Sequence, residues 1–223
     1  MGAYYSLVRF CVRSVVGPLS GWKISGADRV PRTGGLILAS NHISFWDPPL
    51  IACAFPRELH FLAKEELFSS PPLLGVLIRR VNAIPIRRGV ADLSGLNRAL
   101  EALKNGGCLL LFPEGSRMKD GELHPARPGV GLLAHGADVP VLPCFISGSN
   151  RPGKWWRRAA RVRITFGSVR TWRELAGEPA DLTPGRTLYT AIGQGVMREI
   201  ARLRDAETMA VRGVVPEGRS QSS

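Results

Sequence analysis

Residues 83–112 read AIPIRRGVADLSGLNRALEALKNGGCLLLF, and the order of apolar and polar positions within them decides the fold class. The two ends, 83–87 and 107–112, are short apolar runs of the length of a buried strand. Between them Leu93, Leu96, Leu100 and Leu103 recur at three- and four-residue intervals, which places one apolar stripe along a helix at 92–105. Asp92 is positioned to cap its start and Gly106 to end it. Strand, helix and strand in about 30 residues make a β-α-β unit, the crossover that joins parallel strands.

Further apolar runs at 35–40, 139–147 and 161–166 supply more strands, with helix-compatible stretches at 71–80, 128–136 and 184–205. The last carries Leu188, Ile192, Val196, Ile200 and Leu203 at helical spacing. The expectation is an α/β fold, a single domain over 26–206 with a mixed, mostly parallel sheet flanked by helices. Residues 207–223, with Pro216, Gly218 and a serine-rich end, read as a disordered tail.

Before the domain, residues 1–25 form an amphipathic helical segment in which Tyr5, Val8, Val12 and Val15 share a face that Arg9 and Arg13 avoid. Such a helix either lies in a lipid interface or packs on the core. The net charge of +12 over 223 residues points to a polyanionic partner: an anionic membrane surface, a phosphorylated substrate or nucleic acid. Lysine occurs only at 23, 64, 104, 119 and 154, so arginine, the better bidentate phosphate ligand, supplies most of that charge. The four cysteines show no paired spacing, and three lie in apolar stretches, which fits a reducing, cytosol-facing location. The longest apolar runs are far shorter than the roughly 20 residues of a membrane-spanning helix. Trp155-Trp156, flanked by Lys154 and Arg157-Arg158, suit either the headgroup region of a membrane, the phosphates of an acyl carrier, or a loop folded onto the core.

Ligands of open α/β sheets bind beyond the carboxyl ends of the strands. Three such ends are chemically loaded: Asn41-His42 with Asp47, Arg87-Arg88, and Pro113-Glu114-Gly115-Ser116-Arg117. A neutral imidazole at His42 can accept a hydroxyl proton if a partner fixes its tautomer. Asp47, read as a helix N-cap before Pro48, is placed to return its carboxylate beneath the ring through a tight turn. Each residue also has a purely structural reading, as a loop histidine and as a cap. Glu114, directly after an apolar run, needs a partner, for which Arg117 is the nearest cation.

Taken together, these blocks resemble the glycerolipid acyltransferases typified by 1-acylglycerol-3-phosphate acyltransferase. Four match in order: Asn41-His42 with Asp47, Ile84-Pro85-Ile86-Arg87, Phe112-Pro113-Glu114-Gly115-Ser116-Arg117, and Val139-Pro140-Val141-Leu142-Pro143. The segment 61–68 is also similar, and the resemblance covers roughly residues 20–170. It implies that His42 deprotonates the acceptor hydroxyl, which attacks an acyl thioester directly, and that Asp47 orients His42. Lys64, Arg87 and Arg117 then surround the acceptor phosphate, while Glu114 and Gly115 shape the acceptor site. The implied reaction moves an acyl group from acyl-CoA or acyl-carrier protein to 1-acylglycerol 3-phosphate, giving phosphatidic acid, with no cofactor or metal. It places the protein on the cytoplasmic face of the cell membrane, peripheral or monotopic, with a lysophospholipid as acceptor. Other lysolipids and glycerol 3-phosphate remain alternatives, as does the choice between Arg87 and Arg88 at the site. Ser116 stands where the family commonly has threonine, and Cys144 where an aliphatic residue is usual.

A basic nucleic-acid-binding protein is the competing class, but the chain carries no helix-turn-helix, RNA-recognition or zinc-finger pattern. A hydrolase would need a placed nucleophile, and there is no G-x-S-x-G elbow. His42, His60, His124 and His135 lack metal-ligand spacing.

Overall fold

The computed structural model describes residues 2, 5–7, 9–11, 13–14, 21–68, 80–87, 92–151, 161–177 and 183–212. Its strands are β1 (Lys23–Ser25), β2 (Leu36–Ser40), β3 (Leu59–Lys64), β4 (Ala83–Ile86), β5 (Cys108–Leu111), β6 (Val141–Ser147) and β7 (Arg163–Phe166). The helices named here are α1 (Asp47–Ala54), α2 (Leu93–Lys104), α3 (Gly129–Ala137), α4 (Trp172–Ala176) and α5 (Arg186–Arg212). The strands form one sheet in the order β1-β7-β6-β2-β5-β3-β4. Five neighbours, β6 to β4, run parallel, and β7 joins β6 antiparallel with β1 parallel to β7. The sheet is thus mixed and mostly parallel, as the sequence implied.

Alternation along the strands explains why the central ones read as unbroken apolar runs. In β2, Ile37 and Ala39 face a core shared with Leu103 of α2, Leu133 of α3 and Ile192 and Val196 of α5. Leu36 and Leu38 face the opposite core with Leu50 and Ile51 of α1 and Phe166 of β7. With both faces covered, no position of β2 or β5 meets solvent, and a polar residue would cost burial on either side.

The expected strands 35–40, 83–87, 107–112, 139–147 and 161–166 all form, each within two residues of the read boundary. Asp92 caps α2 by accepting the Gly95 N–H, and Gly106 follows at φ 82°. The read β-α-β unit holds with one correction: β4 and β5 are not neighbours, because β3 lies between them. Neither β3 nor β1 was among the expected strands. The C-terminal helix continues to Arg212, so 207–212, read as the start of the tail, are helical.

In the N-terminal segment residues 5–7, 9–11 and 13–14 are helical. Tyr5 is buried, and its hydroxyl accepts from the Leu59 N–H at 3.2 Å, so this member of the apolar stripe packs on the body. Leu7 and Phe10 instead point outward, 59% and 68% exposed. Val8, Val12, Val15, residues 71–79 of the helix read at 71–80, Arg88, Trp155-Trp156 and 213–223 lie outside the described residues; Arg80 is helical. Among the described residues no helix is long and apolar enough to cross a membrane.

Candidate active site

The parallel block brings five carboxyl ends to one edge, and the loaded sequence blocks fall on adjacent strands. His42 follows β2, Glu114 to Arg117 follow its neighbour β5, Lys64 ends β3 and Arg87 follows β4. With strands about 4.8 Å apart, β3 and β4 stand roughly 10 and 14 Å from β2. A long cationic side chain can span part of that distance.

The turn 42–47 returns the Asp47 carboxylate to the His42 ring, though not through a helix cap. Asp47 is the first residue of α1, not its N-cap; Trp46 occupies that position and gives no side-chain cap. The carboxylate turns back over the preceding loop. Oδ2 accepts from the Ile43 N–H at 2.8 Å and the Ser44 N–H at 2.7 Å, and meets His42 Nδ1 at 2.8 Å. Asp47 is fully buried and the His42 side chain is 12% exposed. A carboxylate at this distance holds the proton on Nδ1 and leaves Nε2 as the basic nitrogen. The imidazole stacks on Phe112 with centroids 3.9 Å apart and planes at 18°, which fixes the ring plane.

Glu114 is almost fully buried, and its partners are peptide groups, not Arg117. Oε2 accepts from the His42 N–H at 2.9 Å and Oε1 from the His124 N–H at 3.2 Å. Burial pushes this carboxyl above the usual carboxylate range, against the opposing pull of those two N–H bonds. Glu114 therefore ties the loop after β5 to the loop bearing the base. The Met118 N–H to His42 C=O bond at 2.7 Å is a second tie. Gly115 sits at φ 75°, and a Cβ there would lie 2.6 Å from Cδ of Arg127, whose stem crosses the loop.

Asn41 proves structural. Its side-chain amide donates to the Ile146 C=O at 2.9 Å and accepts from the Ile146 N–H at 2.8 Å, continuing the β2–β6 ladder beyond the strand end. Lys64, Arg87 and Arg117 are exposed at the rim. Arg87 Nε is 2.7 Å from Glu65 Oε2, an ion pair the sequence reading did not anticipate. The Arg117 guanidinium lies 6.0 Å from the Phe45 ring centroid. Sequence reasoning also missed Ser149, fully buried, whose hydroxyl donates to Asp47 Oδ1 at 2.5 Å. Its signal was available: it follows the carboxyl end of β6, the fifth strand end of the same edge.

Burial pushes the thiols of Cys53 and Cys108 up to about 11 and that of Cys144 up to about 12, so these three cysteines are inert core residues at neutral pH. Among the described residues no cluster of three or more His, Cys, Asp or Glu is arranged to hold a metal ion. An imidazole oriented in this way, with its Nδ1 held by a buried carboxylate, can act chemically as a base toward a hydroxyl.

A family model for acyltransferases matches residues 21–147, more than half of the chain. The chain is 29% identical over 164 residues to a chloroplastic 1-acyl-sn-glycerol-3-phosphate acyltransferase of Brassica napus, covering 71% of this chain and 46% of that protein. It is 35% identical over 127 residues to a lyso-ornithine lipid O-acyltransferase of Pseudomonas aeruginosa, covering 56% and 46% respectively. It therefore spans under half the length of each of these two relatives. The crystal structure of the 1-acyl-sn-glycerophosphate acyltransferase of Thermotoga maritima superposes with a TM-score of 0.67 at 25% identity, covering 90% of this chain and 79% of that one. The chain belongs to the acyltransferase family, in its 1-acylglycerol-3-phosphate acyltransferase group of glycerolipid acyltransferases.

Proposed function

We propose that this chain transfers a fatty acyl group from acyl-CoA or acyl-carrier protein to the free hydroxyl of 1-acylglycerol 3-phosphate, giving phosphatidic acid for phospholipid synthesis at the cytoplasmic face of a membrane. The observation that carries the reading is the 2.8 Å contact between His42 Nδ1 and the buried Asp47 carboxylate. Nε2 takes the proton of the acceptor hydroxyl as its oxygen attacks the thioester carbon. A C–O bond forms, the carbonyl π electrons move to oxygen, and Asp47 stabilises the imidazolium. When the carbonyl re-forms, the C–S bond breaks and the thiolate leaves with the proton returned from Nε2, so no acyl-enzyme is made.

Lys64, Arg87 and Arg117 are the proposed phosphate ligands. Their placement at the ends of β3, β4 and β5, on the same sheet edge as His42, supports catalysis by positioning, since a phosphate held at the rim keeps the acceptor hydroxyl beside the base. Gly115 and Glu114 shape that rim by setting the loop, and the backbone N–H groups near Gly115 are the proposed donors to the oxyanion. A lyso-aminolipid acceptor is a second reading, favoured by the Glu65 carboxylate that already neutralises Arg87.

The test offers purified protein in detergent a labelled acyl thioester with several lyso-acceptors, comparing wild type with His42→Ala. Transfer to 1-acylglycerol 3-phosphate that falls by at least about 10³-fold in the folded variant supports the reading. Transfer to lyso-aminolipid alone moves the assignment to the second acceptor. Absence of transfer to every acceptor refutes the activity and leaves a basic membrane- or nucleic-acid-binding role.

A further inference from the structure

We infer that Ser149 is a positioning residue of the transfer reaction, acting on His42 through Asp47 as the fixed donor to the second carboxylate oxygen. The two oxygens of Asp47 have separate tasks. Oδ2 gathers the His42 Nδ1–H and the Ile43 and Ser44 N–H groups, all from its own loop. Oδ1 is met by the Ser149 hydroxyl at 2.5 Å, from a residue 102 positions away. Both side chains are fully buried. Removing this hydroxyl therefore takes a hydrogen bond from a buried carboxylate oxygen.

The chain is built to deliver this contact. β6 ends at Ser147, and Gly148 turns at φ 76° with its Cα against the Arg161 carbonyl, where a Cβ would lie 2.4 Å from that oxygen. Only glycine makes this turn at this approach, and the next residue drops beneath Asp47. Asn41 clamps the same strand end to β2 through Ile146. Ser149 also lies beyond residue 147, where the match to the family model ends.

The titratable groups around Asp47 define what the hydroxyl does. His42 faces it from the loop after β2, Glu114 reaches that loop from the end of β5 through the His42 N–H, and the Cys144 thiol interacts with it from β6. Ser149 adds a neutral donor to this set. It spreads the carboxylate charge, fixes the carboxyl plane and keeps Oδ2 directed at Nδ1. With the hydroxyl removed, the Asp47–His42 pair holds its shared proton more firmly, because the anionic form has lost a donor. Whichever of the two groups carries that proton, the pair is less available as a base at the acid end of the pH range.

The inference rests on the transfer reading above, and the test separates the two. Wild type, Ser149→Ala, Ser149→Cys and His42→Ala are compared in two measurements. One is kcat and KM for acyl transfer against pH; the other is the titration of the His42 ring by NMR of ¹⁵N-histidine-labelled protein, assigned by its loss in His42→Ala. The expected result for Ser149→Ala is a fall in kcat of about tenfold or more, with the acceptor KM held within about twofold. The acid limb of the kcat/KM profile and the ring titration both move to higher pH, and Ser149→Cys, a weaker donor of similar size, falls between. An equal loss at every pH with the His42 titration unmoved would overturn the inference, reducing Ser149 to a packing role. If Ser149→Ala does not fold, Ser149→Cys decides by the same two criteria. If wild type transfers no acyl group, the reaction reading fails, while the His42 titration still decides whether Ser149 acts on the dyad.

Discussion

Glu114 holds a carboxylate where water barely reaches and gives it two peptide N–H groups in place of a cation. The exchange suits the proposed reaction: a guanidinium in that position would add positive charge next to the imidazolium that this reaction forms at His42, whereas peptide donors fix geometry without a net charge. Its cost is desolvation, which raises the Glu114 carboxyl. A group whose folded value exceeds its unfolded one binds its proton more tightly when folded, so its contribution to stability is fully present below about pH 4.3 and is lost as pH rises through the folded value. Glu114→Gln removes that titration. The stability of wild type relative to the variant, from urea unfolding at a series of pH values, is expected to fall with rising pH across this window and then level. A flat difference would show that Glu114 carries no excess proton when folded. At this scale legibility followed sequence distance. His42 and Asp47 are five residues apart, and their turn could be reasoned locally, although the cap assigned to Asp47 belongs to no side chain. Ser149 and the role of Asn41 depend on contacts 102 and 105 residues away, which spacing does not encode.

Elements pack closely where glycine lets backbones approach. Gly195 in α5 lies against α4, and a Cβ there would sit 2.0 Å from the Leu175 carbonyl oxygen; Gly131 in α3 meets the Tyr189 carbonyl of α5 at 2.2 Å in the same sense. Helix propensity alone favours alanine at such positions by about 1 kcal/mol. The obstacle at Gly195 is main chain, which cannot rotate away as a side chain does, so overpacking prevails. Gly195→Ala is expected to destabilise by about 2 kcal/mol or more in urea unfolding, with the sign opposite to propensity. Stabilisation would mean that α4 shifts freely on α5. The elements the sequence disclosed are those with one dominant signal. β2, β5 and β6 are unbroken apolar runs, α2 has a cap, a stripe and a stop, and α5 has a regular apolar spacing. β3 lacked such a signal: Leu59–Lys64 includes His60 and Lys64, is only partly buried beyond Leu59, and takes its place between β5 and β4 by tertiary pairing. β1 is three residues long and reads as nothing until β7 pairs with it.

For the whole molecule, charge and exposed apolar surface bear on the same question of how the protein would meet the lipid acceptor proposed for it. The N-terminal segment packs against the C-terminal end of α1 and the residues that follow it: Gly2 meets Glu58, Tyr5 bonds Leu59, and the Arg9 carbonyl meets Cys53. The opposite end of α1 begins at Asp47. Phe45 and Trp46 stand exposed at that end, 62% and 43%, beside the dyad. Leu7 and Phe10 are exposed on the segment itself. Apolar side chains left in water at the mouth of a site, on a body of net charge +12, fit an anionic bilayer surface, with long-range attraction from charge and short-range attachment from insertion. The two contributions separate by salt. Screening contracts from about 10 Å at 0.1 M to about 3 Å at 1 M, which removes the first and leaves the second. Full burial of a Leu or Phe side chain is worth about 1.5–3 kcal/mol, so Leu7→Ser with Phe10→Ser is expected to lower partition onto phosphatidylglycerol-containing vesicles by at least about tenfold at 0.1 M salt. In 1 M salt wild type retains measurable binding and the double variant none, as read by vesicle sedimentation. Transfer to a detergent-dispersed acceptor stays at the wild-type rate, since neither residue belongs to the site. Equal partition of the two proteins at both salt concentrations would assign attachment to the Phe45–Trp46 end alone, and activity lost in detergent would make the N-terminal helix a structural support of α1.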